Sequence, residues 1–223
     1  MARRSADLTT LPFVQRPARG TARGLLVLHH GRGADEHDLL PLAGVLDPEQ
    51  GWHVVSPQAP LTLPGWPGRH WYLVPQVGYP DPETFRASTG ALGELHDQLW
   101  EQTGIPPERT VLGGFSMGTV MSYALGLDAG RPAPAGILAL SGFVPTIDGW
   151  TPSFADRTSL RAFIAHGRND QTIGVQFARR ARELLEGGGL AVEYHETDAG
   201  HHVDPAYLPA AVQWLAGMLA AAV

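Results

Sequence analysis

The chain alternates short runs of consecutive apolar residues with longer segments of helical periodicity. Six apolar runs flanked by glycine, proline or polar residues predict strands over 24–29, 52–56, 110–114, 135–140, 160–165 and 190–195. Apolar positions spaced by three or four residues predict helices over 35–45, 82–102, 117–127, 175–185 and 205–221. Short, nearly all-apolar strands that alternate with amphipathic helices are typical of a parallel sheet covered on both faces. We therefore predict an α/β fold.

The same pattern predicts one domain. Neither a repeat nor a linker interrupts 24–223, and 1–23 are predicted to be an N-terminal tail or an edge strand. Residues 57–82 contain seven prolines, so they predict a long irregular loop of the kind that often carries function. The N-terminus lacks the apolar stretch of a secretory signal, and the apolar C-terminal segment of about ten residues is half the length that a membrane span needs. We expect a cytoplasmic protein without membrane insertion.

Composition removes several kinds of chemistry. The chain has no cysteine, and all 16 of its basic residues are arginine. A thiolate nucleophile, cysteine-ligated metals, Schiff-base lysines and a P-loop lysine are therefore excluded. The net charge of −6 gives no electrostatic reason to expect nucleic acid as a partner. We expect a small-molecule substrate.

The sharpest motif is the pentapeptide Gly-Phe-Ser-Met-Gly over 114–118. It lies between a predicted strand and a predicted helix, where this motif forms a tight turn that exposes the serine at the edge of the sheet. Glycines at both ends suit a strained backbone and a close approach of neighbouring chain. We interpret Ser116 as a nucleophile; the alternative is a glycine-rich turn with a helix-capping serine.

A serine hydroxyl needs a base to become nucleophilic, and the base needs a carboxylate to orient it. Asp170 follows the fifth predicted strand and His201 follows the sixth, in loops at the same sheet edge as Ser116. We predict that these three residues form a catalytic triad. His201 is preferred to the adjacent His202 because it follows the glycine, and the alternative for Asp170 is a turn or capping residue.

Acyl transfer also requires backbone N–H groups aimed at the oxygen of the attacked carbonyl. We expect one donor from Met117, directly after the nucleophile, and another from Arg32 in the His-Gly-Arg-Gly sequence after the first predicted strand. The alternative interpretation of His29 and His30 as metal ligands lacks the spacing of a zinc site. We predict neither a metal nor another cofactor.

Four motifs occur in one order along the chain: His-Gly-Arg-Gly at 30–33, Gly-Phe-Ser-Met-Gly at 114–118, His-Gly-Arg-Asn-Asp at 166–170 and Gly-His at 200–201. From Gly24 onward the chain resembles the α/β-hydrolase fold and, within it, the small phospholipase/carboxylesterase family that includes acyl-protein thioesterases. The resemblance implies a mainly parallel sheet without a substantial lid and a shallow, open acyl groove. Matched by position, it implies Ser116 as nucleophile, Asp170 as acid and His201 as base.

The segment 68–72 also resembles a family stretch in which an aromatic pair lies beside the active site. Three positions depart from the acyl-protein thioesterases: Leu73 replaces a common acidic residue, Met117 replaces glutamine, and no proline follows Asp170. These departures favour a general carboxylesterase over an enzyme for palmitoylated proteins. From loop position, four aromatic residues are expected to line an apolar acyl site: Trp66, Trp71, Tyr72 and Phe143.

The sequence therefore predicts a serine hydrolase that cleaves carboxylic esters of short to medium acyl chains through an acyl-enzyme. An acyl-thioesterase or a lysophospholipase with the same triad is the alternative. Dienelactone hydrolases share the fold but usually use a cysteine, which this chain lacks. A noncatalytic binding module is disfavoured because all three triad residues are present. We expect saturation kinetics on soluble esters, and a homodimer as the commonest closed assembly.

Overall fold

The computed structural model describes residues 11–220, with side chains as far as Met218. Residues 1–10 of the tail or edge strand predicted over 1–23, and residue 221 at the end of the last predicted helix, therefore lie outside the described residues. Within this range, seven strands form one sheet: β1 (Phe13–Arg16), β2 (Gly24–His29), β3 (Trp52–Pro57), β4 (Thr110–Phe115), β5 (Gly136–Leu140), β6 (Arg161–Gly167) and β7 (Ala191–Thr197). Their order across the sheet is β1-β3-β2-β4-β5-β6-β7.

The sheet is parallel except at one edge. All neighbouring strands from β3 to β7 pair in parallel, whereas β1 pairs with β3 in the antiparallel direction. The central strands β2, β4 and β5 are buried along their length except at Phe115, the half-buried last residue of β4, which explains their mostly apolar sequences. The carboxyl ends of β2, β4, β6 and β7 lie at the same edge, and the loops that follow them meet there.

Helices cover both faces of the sheet, as predicted. The described residues contain five: α1 (Leu40–Leu46), α2 (Pro82–Thr103), α3 (Met117–Gly126), α4 (Gln176–Gly187) and α5 (Leu208–Ala220). Helices α1 and α5 pack on the face that carries Leu138 and Leu140, and helices α2, α3 and α4 pack on the opposite face. Among residues 11–220, no helix is both long and apolar enough to cross a lipid bilayer.

The predicted helix over 35–45 is wrong in its first turn, because α1 begins only at Leu40. The side chain of Asp35 accepts a hydrogen bond from the His37 N–H at 2.9 Å, and such local bonds stabilise turns rather than helix. Pro41 then occupies the first turn, where its missing N–H has no effect. The predicted helix over 205–221 also begins later than expected, because a single 3-10 turn over Pro205–Tyr207 precedes α5.

Candidate active site

Ser116 occupies a sharp turn between β4 and α3. Its φ of 55° and ψ of −119° are unfavourable for a residue with a side chain, at a cost of about 1–3 kcal/mol. The Ser116 N–H donates to the Leu140 carbonyl at 2.9 Å. The Thr119 hydroxyl lies 2.7 Å from the carbonyl oxygens of both Gly114 and Leu140. These contacts hold the strained turn at the carboxyl edge of the sheet.

Two glycines allow this turn to fold. A Cβ atom at Gly114 would lie 2.4 Å from the backbone of Gly118. A Cβ atom at Gly118 would lie 1.9 Å from the carbonyl oxygen of His29, at the end of β2. Only hydrogen fits at either position. The first turn of α3 is therefore pressed against the loop that follows β2.

The hydroxyl of Ser116 begins a chain of hydrogen bonds. It lies 2.8 Å from Nε2 of His201, and Nδ1 of His201 lies 2.6 Å from Oδ2 of Asp170. The other oxygen of this buried carboxylate accepts from the N–H groups of Thr172 and Ile173, both at 2.8 Å. A proton on Nδ1 is therefore directed at Asp170, and the lone pair of Nε2 faces the serine.

The loops after β6 and β7 are locked together. The Asn169 N–H donates to the Ala199 carbonyl at 3.0 Å, and the Asn169 side chain donates to the Asp198 carbonyl at 2.7 Å. A Cβ atom at Gly167 would lie 2.3 Å from the Ala199 carbonyl oxygen. This contact fixes the distance between the aspartate loop and the histidine loop. The neighbouring His202 is exposed.

Sequence reasoning did not single out two residues that support these contacts. The ring of Phe115 lies 5.0 Å from the ring of His201, centroid to centroid. Nε2 of His166 lies 2.7 Å from the Ile173 carbonyl oxygen and 3.4 Å from Oδ2 of Asp170. Burial lowers the pKa of His166, so this imidazole is neutral at pH 7 and donates from Nε2. In the sequence, only their positions could have indicated these roles: Phe115 lies in the motif that carries the serine, and His166 lies in the motif that carries the aspartate.

The two predicted oxyanion donors lie beside the serine. Met117 is the first residue of α3, so its amide has no acceptor within the helix. The Arg32 amide donates to no backbone acceptor among residues 11–220. Both residues line the same cleft as Ser116. These two free N–H groups are of the kind that binds a developing oxyanion.

A small cleft of about 70 Å³ opens beside the serine. Its lining is mostly apolar: Arg32, Tyr72, Val74, Val77, Ser116, Met117, Phe143, Thr172 and Ile173. Two of the four predicted substrate-site aromatics, Tyr72 and Phe143, are therefore in this lining. Phe143 also lines a neighbouring apolar cavity of about 350 Å³ beside α4. The two spaces share Phe143 as a lining residue.

The structure places the other two predicted aromatics, Trp66 and Trp71, outside the lining of the cleft. Trp71 is fully buried; its indole N–H donates to the His30 carbonyl at 2.9 Å and its backbone N–H donates to Sδ of Met117 at 3.3 Å. Trp66 is exposed and lies at the rim against Arg32. Trp71 therefore packs in the interior against the loop after β2 and stabilises it.

The histidines near this loop are packing residues. Nδ1 of His29 lies 2.9 Å from Oγ of Ser122, and its ring packs against that of His96. Burial lowers the pKa of His29 and lowers that of His96 to about 3. Both are therefore neutral at pH 7. Among residues 11–218, no three histidine, aspartate or glutamate side chains are grouped as metal ligands would be.

Comparisons with known proteins agree with this architecture. A model of the Phospholipase/Carboxylesterase family matches residues 10–219. Acyl-protein thioesterase 1 of Yarrowia lipolytica is 30% identical over 189 residues, which are 78% of this chain and 81% of the relative. The crystal structure of the Bacillus cereus carboxylesterase is 26% identical, with a TM-score of 0.82 over 95% of this chain and 96% of that one. Esterase PE8 is also 26% identical, with a TM-score of 0.78 over 94% and 99%.

These matches extend over almost all of the described fold. They confirm the α/β-hydrolase architecture that the motifs indicated. They also establish the general class of activity, since the matched family and the solved structures are hydrolases of acyl compounds. The chain is therefore a hydrolase and belongs to the phospholipase/carboxylesterase family.

Proposed function

We propose that this protein is a carboxylesterase in which Ser116, His201 and Asp170 form the catalytic triad. One observation carries the proposal: the unbroken hydrogen-bond chain from the serine hydroxyl through the imidazole to the buried carboxylate, at 2.8 and 2.6 Å. This series of hydrogen bonds begins at a serine in a strained turn, which is the arrangement expected of an activated nucleophile. Both observations support acyl transfer.

The first half of the reaction forms an acyl-enzyme. Oγ of Ser116 attacks the ester carbonyl carbon while Nε2 of His201 takes the hydroxyl proton. The carbonyl oxygen gains a negative charge and accepts hydrogen bonds from the amides of Arg32 and Met117. Asp170 remains ionised and stabilises the imidazolium. The C–O bond to the alcohol then breaks as the imidazolium gives its proton to the leaving oxygen.

The second half releases the acid. A water molecule gives a proton to Nε2 of His201 and attacks the acyl carbon, and a second oxyanion forms at the same two amides. Collapse of this intermediate breaks the bond to Oγ of Ser116, which takes the proton back from the imidazolium. The products are the carboxylic acid and the restored serine, so the cycle needs no cofactor.

The cleft supports small acyl groups as substrates. Its side chains near Ser116 are mainly apolar, and the cleft is small, at about 70 Å³. The neighbouring apolar cavity past Phe143 extends the surface available to a longer chain. We therefore expect activity on short to medium acyl esters, with saturation kinetics in solution.

A thioesterase activity is the second candidate. It is favoured by the 30% identity to an acyl-protein thioesterase, and the same triad would attack a thioester carbonyl. The two functions differ in the bond that breaks, so a matched pair of substrates separates them. A higher kcat/KM on S-phenyl thiooctanoate than on p-nitrophenyl octanoate, both lost in Ser116→Ala, would replace the esterase proposal with a thioesterase.

The decisive experiment is hydrolysis of p-nitrophenyl esters from acetate to palmitate by the wild type and by Ser116→Ala. We expect wild-type activity with an optimum at short or medium chains and a loss of several orders of magnitude in the variant. A fluorophosphonate adduct on Ser116, located by peptide mass spectrometry, would identify the nucleophile independently. Near-wild-type activity in a folded Ser116→Ala protein would contradict the proposal.

A further inference from the structure

One residue of the cleft does not fit a site for simple apolar esters. Arg32 is the only lining residue with a permanent charge, and the lining contains no carboxylate. Among residues 11–218, the Arg32 guanidinium donates no hydrogen bond and has no carboxylate within 4 Å, whereas six other arginines form ion pairs with carboxylates. A residue of the cleft lining therefore carries a guanidinium without an anionic partner.

The acidic residues nearest in sequence do not neutralise this cation. The carboxylate of Glu36 accepts from the Gln58 amide at 2.6 Å, and Asp35 accepts from the His37 N–H at 2.9 Å. Asp35 is thus engaged within its own loop, and Glu36 is engaged by the residue that follows β3. The guanidinium of Arg32 keeps its N–H groups available.

The guanidinium of Arg32 is also held in place. It stacks on the indole of Trp66, 4.1 Å from the ring centroid. The two loops that carry these residues are joined, because the Gly33 N–H donates to the Arg69 carbonyl at 2.9 Å and the Arg69 N–H donates to the Ala34 carbonyl at 2.8 Å. A guanidinium stacked on one face keeps the N–H groups of its edge free for bidentate contact with a carboxylate.

Gly68 shows how closely these loops approach. It has a φ of +62°, and a Cβ atom there would lie 2.1 Å from the Gly33 carbonyl oxygen. Neither loop can move away without breaking the hydrogen bonds that join them. The backbones that carry Arg32 and Trp66 are therefore fixed relative to each other before a ligand arrives, which reduces the entropy lost on binding.

We propose that the Arg32 side chain determines specificity by binding a carboxylate carried by the ester substrate. The preferred substrates are then esters with a second, anionic group, either on the acyl part or on the alcohol part. This inference rests on the proposed esterase function. Because the Arg32 amide is a proposed oxyanion donor, the distance from reacting carbonyl to carboxylate is limited by the length of one arginine side chain.

The test compares anionic esters with neutral esters of closely related structure in two arms. The acyl arm uses mono-p-nitrophenyl glutarate against p-nitrophenyl pentanoate, and the alcohol arm uses 4-carboxyphenyl pentanoate against phenyl pentanoate. The quantity compared is the ratio of kcat/KM for the anionic ester to that for the neutral ester. Dividing the wild-type ratio by the ratio for Arg32→Leu cancels the difference in intrinsic reactivity between the two esters. The leucine variant keeps the backbone N–H that is the proposed oxyanion donor.

We expect the anionic-to-neutral ratio of kcat/KM to be about tenfold or more lower in Arg32→Leu than in the wild type in one arm. That arm identifies the side of the ester that carries the anion. Arg69→Leu removes the same charge from the adjoining loop but not from the cleft lining, and should change the ratio less than about twofold. Trp66→Leu should give an intermediate loss, because the guanidinium loses its stacking partner. Added salt should lower the wild-type ratio and leave that of Arg32→Leu nearly constant.

Equal ratios for the wild type and Arg32→Leu in both arms would overturn this inference while leaving the esterase intact. An equal fall in Arg32→Leu and Arg69→Leu would also overturn it, because net charge would then explain the effect. Failure of the folded wild type to hydrolyse any of the four esters would overturn the esterase proposal, and this inference with it.

Discussion

The imidazole of His166 lies behind the carboxylate of Asp170, with 3.4 Å between Nε2 and Oδ2. The same Nε2 donates to the carbonyl of Ile173 at 2.7 Å, and the N–H of Ile173 donates to the other oxygen of Asp170 at 2.8 Å. His166 thus fixes the turn that holds the aspartate. The proposed catalytic acid is positioned from two sides, by this buried histidine and by His201.

His166→Phe should weaken catalysis without weakening substrate binding. Loss of the donor to the Ile173 carbonyl frees the turn, and misplacement of Asp170 should lower kcat by about 10- to 100-fold with little change in KM. Kinetics with p-nitrophenyl butyrate measures both constants. His166→Gln retains an N–H donor and should recover part of kcat. Equal kcat in His166→Phe and the wild type would show that the turn holds without this residue.

The two adjacent histidines provide a matched pair of variants. His201→Gln removes the proposed base and should lower kcat by roughly 10⁴-fold or more. His202→Gln changes an exposed neighbour and should leave kcat within about twofold. Ester hydrolysis measured with both variants under the same conditions tests the assignment. The opposite result, a loss confined to the His202 variant, would reassign the base.

Buried neutral histidines should make the protein sensitive to acid. Burial lowers the pKa of His96 to about 3 and also lowers that of His29, against about 6.5 in the unfolded chain. Above pH 6.5 both states are neutral, so these residues cause no pH dependence. Below it only the unfolded state binds the protons, and His96 should lower the free energy of unfolding by about 1.4 kcal/mol between pH 7.5 and 5.5, with His29 acting in the same direction.

Urea unfolding of His96→Phe at the two pH values tests this expectation. The variant should lose about 1.4 kcal/mol less than the wild type over the interval, because one buried titrating group is gone. His37→Gln, which changes an exposed histidine, should keep the wild-type dependence. An unchanged pH dependence in His96→Phe would mean that His96 is protonated in the folded protein.

Gly118→Ala should be severely destabilising. Its Cβ atom would lie 1.9 Å from the His29 carbonyl oxygen, so the start of α3 would have to move away from β2. We expect a loss of about 4 kcal/mol or more in the free energy of unfolding. Gly90→Ala is the matched control, because this exposed position within α2 has no atom within 4 Å of the added carbon. It should raise stability by up to about 1 kcal/mol, and comparable losses in both variants would contradict the steric argument.

Arg157 is a buried cation that stabilises the turn after α3. Its guanidinium donates to the carbonyls of Gly126 and Arg131, both at 2.9 Å, and also contacts the Asp128 carbonyl. Arg157→Met should cost about 3 kcal/mol or more, because these buried acceptors lose charged donors. Arg182→Met, at an exposed helical pair, should cost about 0.5 kcal/mol or less. Thermal and urea unfolding would measure both, and equal losses would show that burial of Arg157 contributes nothing.

Local sequence determined the architecture and the meeting point of the motifs. Apolar runs such as 24–29 and 135–140 indicated strands buried on both faces, which requires parallel pairing with helices on each side. Once the strands are parallel, the loops after them must lie at one edge of the sheet. The convergence of Ser116, Asp170 and His201 is therefore a topological consequence of their positions after strands, and it could be predicted without any long-range contact.

Only the tertiary structure decided which side chains face the cleft. Trp71 and Tyr72 are consecutive and equally aromatic, yet Tyr72 lines the cleft and Trp71 is buried against the His30 carbonyl. The loop over 57–82 has no periodicity from which these directions could be read. They are set by contacts with chain far away in sequence, such as the bonds that join Gly33 to Arg69. The sequence by itself thus determined where the chemistry is located, whereas long-range packing decided what surrounds it, because side-chain direction in an irregular loop depends on its neighbours in space.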